Sequence, residues 1–213
     1  MAETIELSDL DLAALLCSKV CHDIISPVGA ITNGLEVLDE DGGEDMRVFA
    51  MELIQKSARQ ASAKLKFARL AFGAAGSAGA EVDLADAEAV AMGYMEGEKA
   101  DMTWSAPRLL VPKNKVKLLL NLVLIANAAI PRGGTIDVVY DGDAETPTLT
   151  LKAIGPSARI PTGVEDFLAG RSEDGVADAH SIQQVYAGKL ARAAGMTVTV
   201  VKDGDDIVVE ARS

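Results

Sequence analysis

Two apolar stripes at helical spacing occupy the first third of the chain and most constrain its fold. The first has steps of three and four residues, which place its members on one face of an amphipathic helix: Leu12, Leu16, Val20, Ile24, Pro27, Val28, Ile31, Leu35 and Leu38. The second alternates the same steps more strictly, as in the seam of a helical bundle: Met51, Ile54, Ala58, Ala61, Leu65, Ala68 and Phe72. Asp41, Gly42 and Gly43 separate the two stripes. The sequence therefore predicts a helical hairpin.

The ends of this hairpin indicate how it is completed. Ser8 and Asp11 resemble a capping box immediately before the first stripe. A short turn makes the two helices antiparallel neighbours, but two helices alone cannot cover both stripes. We therefore expect a homodimer in which two hairpins form a four-helix bundle with two-fold symmetry. The alternative is that the stripes pack on the remainder of the chain.

A run of small residues at positions 73–80 has no core-forming side chain and is typical of a flexible linker. It predicts a helical hairpin domain at residues 1–73, a second domain at residues 81–213, and weak packing between them. In the second domain, helices are predicted at 84–99, 113–130, 164–168 and 179–194. Strands are predicted at 102–104, 135–140, 148–154, 197–201 and 207–210. Helices on one face of a mixed or antiparallel sheet make this an α/β sandwich.

The charge of the chain excludes several classes of function. The 213 residues carry a net charge of −12, which repels nucleic-acid phosphates and anionic lipid surfaces. The acidic start does not resemble a signal peptide, and the lack of an uncharged apolar run of 18 residues argues against a membrane span. Two cysteines are too few for a disulfide framework, so we expect a reducing, cytoplasmic location.

His22 is the candidate reactive residue of the first helix. At about 100° per residue it lies opposite the centre of the apolar stripe, so its ring is predicted to face solvent. Asp23 follows it, and a neighbouring carboxylate can orient an imidazole and accept its proton. Pro27, one turn later, removes the N–H that would pair with the Asp23 carbonyl. The missing hydrogen bond destabilises the helix locally. A destabilising residue beside an exposed imidazole indicates a functional site.

Two other features that contain histidine or cysteine are weaker candidates for a functional site. Cys17, Cys21 and His22 lie on one helix and do not surround a tetrahedral ion, so no metal site is predicted. We interpret the two cysteines as small core residues. His180 has no carboxylate directly beside it in the sequence and is interpreted as structural.

His22 and Asp23, followed by Ser26 and Pro27 and then by residues 28–31, resemble the phospho-acceptor box of two-component sensor histidine kinases. The resemblance implies that the hairpin dimerises and that His22 is phosphorylated. It also implies that the phosphoryl group passes to an aspartate of a receiver domain.

The second half of the chain resembles the ATP-binding domain of those kinases but lacks residues that bind Mg²⁺ and the nucleotide there. Residues 121–134 align with the N-box, in which the opening Asn121 and the closing Pro-x-Gly-Gly remain. The Mg²⁺-binding position is Ile125, which offers no oxygen to a hard cation. The adenine-reading aspartate is replaced by Ala153, and the last glycine of that motif by Ser157. The phosphate-binding glycines are absent from residues 178–184.

This combination is similar to the ChpT-type bacterial histidine phosphotransferases, over about residues 8–210. The similarity implies a phosphorelay in which His22 accepts a phosphoryl group from the receiver of a hybrid histidine kinase and passes it to a response regulator. It implies no ATP-dependent kinase activity and no cofactor on this chain, with Mg²⁺ held by the partner receivers. Two alternatives stay open, a divergent ATP-dependent kinase and a non-catalytic dimeric scaffold that binds receivers.

A receiver must touch the helix face that carries His22. Steps of three and four residues place Ile25, Ser26, Gly29 and Asn33 on that face. Ile25 lies away from the apolar stripe, and small residues at positions 26 and 29 let a partner helix approach. We predict that this face binds the receiver; the alternative is that Ile25 packs within the hairpin.

Overall fold

The computed structural model describes residues 2–40, 43–73 and 80–213. In these ranges the chain forms six helices: α1 (Asp9–Asp39), α2 (Gly43–Ala71), α3 (Leu84–Met95), α4 (Lys113–Ala129), α5 (Val164–Ala169) and α6 (Ile182–Ala193). It also forms nine strands: β1 (Glu3–Thr4), β2 (Glu81–Asp83), β3 (Ala100–Ser105), β4 (Leu110–Pro112), β5 (Gly134–Asp141), β6 (Thr148–Ile154), β7 (Arg171–Ser172), β8 (Thr197–Asp203) and β9 (Asp206–Arg212). Asp41, Gly42 and most of the predicted linker, residues 74–79, lie outside the described residues.

The predicted helical hairpin is confirmed. At the start of α1 the Ser8 hydroxyl accepts a hydrogen bond from the Asp11 amide at 3.1 Å, and the helix runs unbroken through Pro27. The two helices approach closely at Gly34, where a Cβ atom would lie only 2.6 Å from Cγ1 of Ile54. Glycine at this position therefore allows the close contact between α1 and α2.

The second half is a mixed sheet covered by helices on one face, as predicted. The strand order is β3-β5-β6-β9-β8, in which β3 and β5 are parallel and the other neighbours antiparallel. One face of the sheet is buried through alternate residues: Ile136, Val138, Tyr140, Leu149, Leu151, Ala153, Ile207, Val209 and Ala211. Val139 and Val201 point to the other face and are exposed. Helix α4 is almost entirely buried against the covered face.

The sequence misses the shortest strands and some helix ends. The antiparallel pairs β1–β7 and β2–β4 contain two or three residues per strand, too few to show a period of two. The predicted helix at 84–99 ends at Met95, and the one at 179–194 begins at Ile182. At the latter position, Asp178 accepts hydrogen bonds from the residues that follow it and holds them in a turn.

The hairpin is anchored in the core of the sheet domain, so the expectation of weak packing between the two parts is wrong. Phe67 and Ala71, near the end of α2, are buried in the same cluster as α3, α4 and the sheet. The fully buried Asn121 donates from Nδ2 to the Ala71 carbonyl at 3.3 Å. Gln183 of α6 in turn donates to the Asn121 side-chain oxygen at 3.0 Å. The contact is made by residues that precede the small-residue segment, so that segment gives no sign of it.

Helix α1 is the one described helix whose length and composition alone would allow it to cross a membrane. The sequence had argued against any membrane span. The criterion is weak support for a span, because helices of bundles share it. Helix α1 contains the ion pair of Lys19 and Asp23, and it contacts both α2 and α6.

Replacing Asn121 tests the junction between hairpin and sheet domain. Asn121→Ala removes the link between α2 and α6 and leaves buried polar groups without partners, so we expect a loss of about 1–3 kcal/mol in the free energy of unfolding. Urea denaturation measures this loss. Asn127→Ala is the matched control, since its half-buried side chain makes a single bond to Glu98, and should cost about 1 kcal/mol or less. An equal loss in both variants would contradict the assignment.

Candidate functional site

His22 lies near the middle of α1 with its side chain 67% exposed, as predicted from its position opposite the stripe. Neither neighbouring helix covers the ring, so a partner protein has access to it. The ring is nevertheless not isolated, because charged and aromatic groups from two parts of the fold surround it.

Asp23 approaches one specific atom of the ring. Its Oδ1 lies 3.6 Å from Nδ1 of His22, longer than a hydrogen bond but within the range of an ion pair. Its other oxygen, Oδ2, contacts the ammonium group of Lys19 one turn earlier on α1. The carboxylate is therefore held between a lysine and the Nδ1 side of the ring, which leaves Nε2 as the nitrogen further from the carboxylate.

The carboxylate of Asp23 also faces the seam between hairpin and sheet domain. It lines a small cavity together with Lys64 and Tyr94. Burial raises the pKa of Tyr94 far above its usual value, and the charges of Glu98 and Asp23 add to this effect. Sequence reasoning missed Lys19, although its spacing of four residues from Asp23 was a usable signal.

His180 lies beside His22, which sequence reasoning missed. The ring centroids are 5.7 Å apart and the ring planes make an angle of 76°. His180 is exposed rather than part of the core, so its interpretation as a structural residue did not anticipate this position. No local pattern could have found it, because the proximity arises from the packing of α1 on α6.

The turn that carries His180 is closed by Asp178. Its Oδ1 accepts from the amides of His180 (3.0 Å) and Ser181 (2.8 Å) and from the Ser181 hydroxyl (2.7 Å). The Ser181 amide and hydroxyl, followed by the His180 amide, hold the pKa of Asp178 below its usual value. The amides of His180 and Ser181, in the turn before α6, are thus occupied by a carboxylate of the chain itself.

The positions that the sequence resemblance aligns with a kinase nucleotide site are parts of the core. Ile125 and Ala153 are fully buried. The glycines that remain serve close backbone approach: Gly134 has a φ of 143°, and a Cβ atom on Gly155 would clash with the Gly133 carbonyl. These glycines are explained by the packing of the β5 start against the end of β6.

The two cysteines are exposed, so their interpretation as core residues is wrong. The adjacent Cys17 raises the pKa of the Cys21 thiol, which lowers its thiolate fraction. Among the described residues no three His, Cys, Asp or Glu side chains form a group able to hold a metal ion.

The residues predicted to bind a receiver share the outward face of α1 with His22. Ile25 is 71% exposed, and Ser26 and Asn33 are exposed as well. A Cβ atom on Gly29 would meet no heavy atom within 4 Å. The alternative that Ile25 packs within its own hairpin is therefore wrong.

An exposed histidine with a neighbouring carboxylate, on a helical hairpin fixed to an α/β domain, defines the class of histidine phosphotransferases. The family model for the histidine phosphotransferase C-terminal domain matches residues 84–206. The chain belongs to this family and functions as a histidine phosphotransferase of a two-component phosphorelay, which confirms the family predicted from sequence.

Two similar proteins support this assignment. The chain is 50% identical over 211 residues to the protein phosphotransferase ChpT of Brucella abortus (strain 2308), covering 99% of this chain and 100% of that protein. It is also similar to a bacterial phosphotransferase solved at 1.7 Å, with a TM-score of 0.90, 48% identity and 98% of each chain covered.

Proposed function

We propose that His22 accepts a phosphoryl group from the receiver aspartate of a hybrid histidine kinase and passes it to the aspartate of a response regulator. The observation that carries this proposal is the exposed ring of His22 with Asp23 beside Nδ1. In the forward step the Nε2 lone pair attacks phosphorus. The bond from phosphorus to the receiver carboxylate oxygen breaks, and its electron pair stays on that carboxylate. The second transfer is the same exchange in reverse, with another receiver.

Asp23 acts in this proposal as a residue that orients the ring. Its position near Nδ1 favours the tautomer with the proton on that nitrogen, and so leaves the Nε2 lone pair available. The carboxylate also stabilises the positive charge that the ring gains when Nε2 bonds to phosphorus. Lys19 holds the Asp23 carboxylate in place through the other carboxylate oxygen, Oδ2.

The same proposal excludes ATP as the phosphoryl donor and needs no cofactor on this chain. Buried Ile125 and Ala153 supply neither a Mg²⁺ ligand nor a partner for adenine. The Asp178 carboxylate occupies the amides of His180 and Ser181 in the turn before α6, and its charge repels a phosphate group. The Mg²⁺ required for transfer is then supplied by the partner receivers.

A homodimer is the second part of the proposal, supported by apolar surface that the hairpin leaves uncovered. On α1, Val28 and Leu35 are seven residues apart and are 46% and 50% exposed. On α2, Met51 and Leu65 belong to the predicted seam and are 45% and 52% exposed, whereas Ala61 is buried. Val28 and Leu35 lie two turns apart on one face of α1, and Met51 and Leu65 lie four turns apart on one face of α2. A second hairpin there would form a four-helix bundle and leave His22 accessible.

The receiver is proposed to dock on the face of α1 formed by His22, Ile25, Ser26, Gly29 and Asn33. An exposed isoleucine beside small residues supplies the apolar centre of a transient interface. On α1 the series proposed for the dimer lies beside this face, because Val28 is three residues from Ile25. We also propose a cytoplasmic location, since the exposed free thiols persist in a reducing compartment.

A transfer assay tests the central proposal. Label from a phosphorylated hybrid-kinase receiver should reach the wild-type chain and then a second receiver, whereas His22→Ala should accept none. The variant should keep its fold and melting temperature, because an exposed side chain contributes little to the core. Label on another residue, or binding of receivers with no labelled intermediate, would contradict it and favour the scaffold alternative. Labelling by ATP with Mg²⁺ would favour the kinase alternative.

Asp23→Asn tests the orienting role. The amide keeps the shape of the side chain but removes the charge, so we expect transfer to slow by about 10²-fold without being abolished. Rapid-quench measurement of the first transfer gives the rate. An unchanged rate would mean that Asp23 serves the seam beside Tyr94 and has no part in transfer.

Ile25→Lys tests the docking face against the dimer surface. It should weaken receiver binding in calorimetry and leave the dimer intact in analytical ultracentrifugation. Leu35→Lys is the matched control, because it places the same charge on the other exposed series of α1 and should dissociate the dimer. If Ile25→Lys dissociated the dimer instead, the isoleucine would belong to the interface between subunits.

A further inference from the structure

The chain has two histidines, and the fold brings both imidazole rings to one place. The ring centroids of His22 and His180 are 5.7 Å apart, and the angle of 76° turns the edge of one ring towards the other. His180 is exposed, and the proposed transfer chemistry at His22 gives it no role. Its position beside the reactive ring therefore calls for a separate explanation.

The proximity of the rings is built into the fold on both sides. Helix α1 packs on the start of α6 through an apolar cluster separate from the main core: Ala177, Ile182 and Val185, with Leu12, Leu15 and Leu16 packed against them. The turn that carries His180 is itself fixed by the hydrogen bonds of Asp178. The second imidazole is thus held at the edge of the site by two independent sets of contacts.

Phosphorylation of His22 would bring new acceptors into this space. A phosphoryl group adds negative charge and three acceptor oxygens, and it extends outward from the ring nitrogen. Imidazole carries at least one N–H in either protonation state. Lys19, the cation nearest along α1, contacts the Asp23 carboxylate, and the Asp178 carboxylate accepts from its own turn. On the α6 side of the site, the ring of His180 lies beside this space and carries such an N–H.

We propose that His180 donates a hydrogen bond from its ring to the phosphoryl group carried by His22. The proposal rests on the proposed function, because it requires His22 to be phosphorylated. No covalent bond to His180 forms or breaks. Since the hydrogen bond exists only after phosphorylation, it stabilises the phosphorylated protein and shifts the transfer equilibrium towards it.

The expected effect is on the phosphorylated state and not on the fold. His180→Ala should lower the equilibrium constant for phosphorylation of His22 roughly 3- to 10-fold, as for a charge-assisted hydrogen bond at an exposed site. His180→Gln keeps an N–H donor and should retain most of the wild-type value. Both variants should keep the wild-type melting temperature. Val176→Ala, an exposed position in the same segment, is the control and should change neither quantity.

The test uses the full chain with N-phosphoimidazole and imidazole as a reversible phosphodonor pair. The P–N bond of the reagent breaks, a P–N bond to His22 forms, and imidazole leaves. ³¹P NMR measures how phosphorus is partitioned between the reagent and the protein. As a second readout, ¹H NMR follows the ring protons of His180, which should shift when His22 is phosphorylated.

The outcomes separate this proposal from the proposed function. Three results would each overturn the hydrogen bond while leaving transfer at His22 intact. They are an equal phosphorus partition in wild type and His180→Ala, a partition in His180→Gln as low as in His180→Ala, and ring-proton signals of His180 that do not shift. Phosphorus that persists in His22→Ala and disappears in His180→Ala would overturn the proposed function itself. The hydrogen bond would be supported if less phosphorus were bound to the protein in His180→Ala, if His180→Gln restored it, and if the ring-proton signals of His180 shifted on phosphorylation.

Discussion

The geometry of the site depends on the insertion of the end of α2 into the core of the sheet domain. Phe67 and Ala71 are buried among α3, α4 and the sheet, and Asn121 joins the Ala71 carbonyl to Gln183 of α6. If one of these hydrogen bonds were broken, a buried polar group would lose its partner and the protein would be destabilised. The hydrogen bonds therefore favour one arrangement of α2, α4 and α6. Because α1 packs along α2 and also on the start of α6, these hydrogen bonds and the α1–α6 contact together set the distance between His22 and the turn before α6. A hairpin on a free linker could not hold two imidazoles 5.7 Å apart.

The residues that resemble a nucleotide site have structural explanations in this fold. Asn121 satisfies backbone groups at the junction, and Gly155 lets β6 pass close to the Gly133 carbonyl. In the turn before α6, the amides of His180 and Ser181 donate to the Asp178 carboxylate. The residues that match the motifs are therefore accounted for by packing within the fold.

The parts of the fold that local sequence predicted are those with a clear period. The hairpin, α4 and the alternating strands β5, β6, β8 and β9 follow from spacing alone. The exposure of His22 and Ile25 follows from the angle between a residue and the apolar stripe. The junction and the position of His180 could not be predicted, because they depend on which helix faces meet across long sequence separations. The small-residue segment was even misleading, since it indicated loose packing where Phe67 makes a tight contact.

The two faces of α1 meet opposite requirements of the phosphoryl transfer that we propose at His22. A phosphoryl acceptor must be open to a partner, and the face with Ile25 and Asn33 is open. An ordered nucleophile must also keep one ring nitrogen in place, which requires fixed neighbours on the other side. The half-buried Asp23 supplies them, because it is held by Lys19 and lies against the seam with Tyr94. The sheet domain thus contributes to the proposed transfer by holding the neighbours of the exposed histidine in place on its inner side.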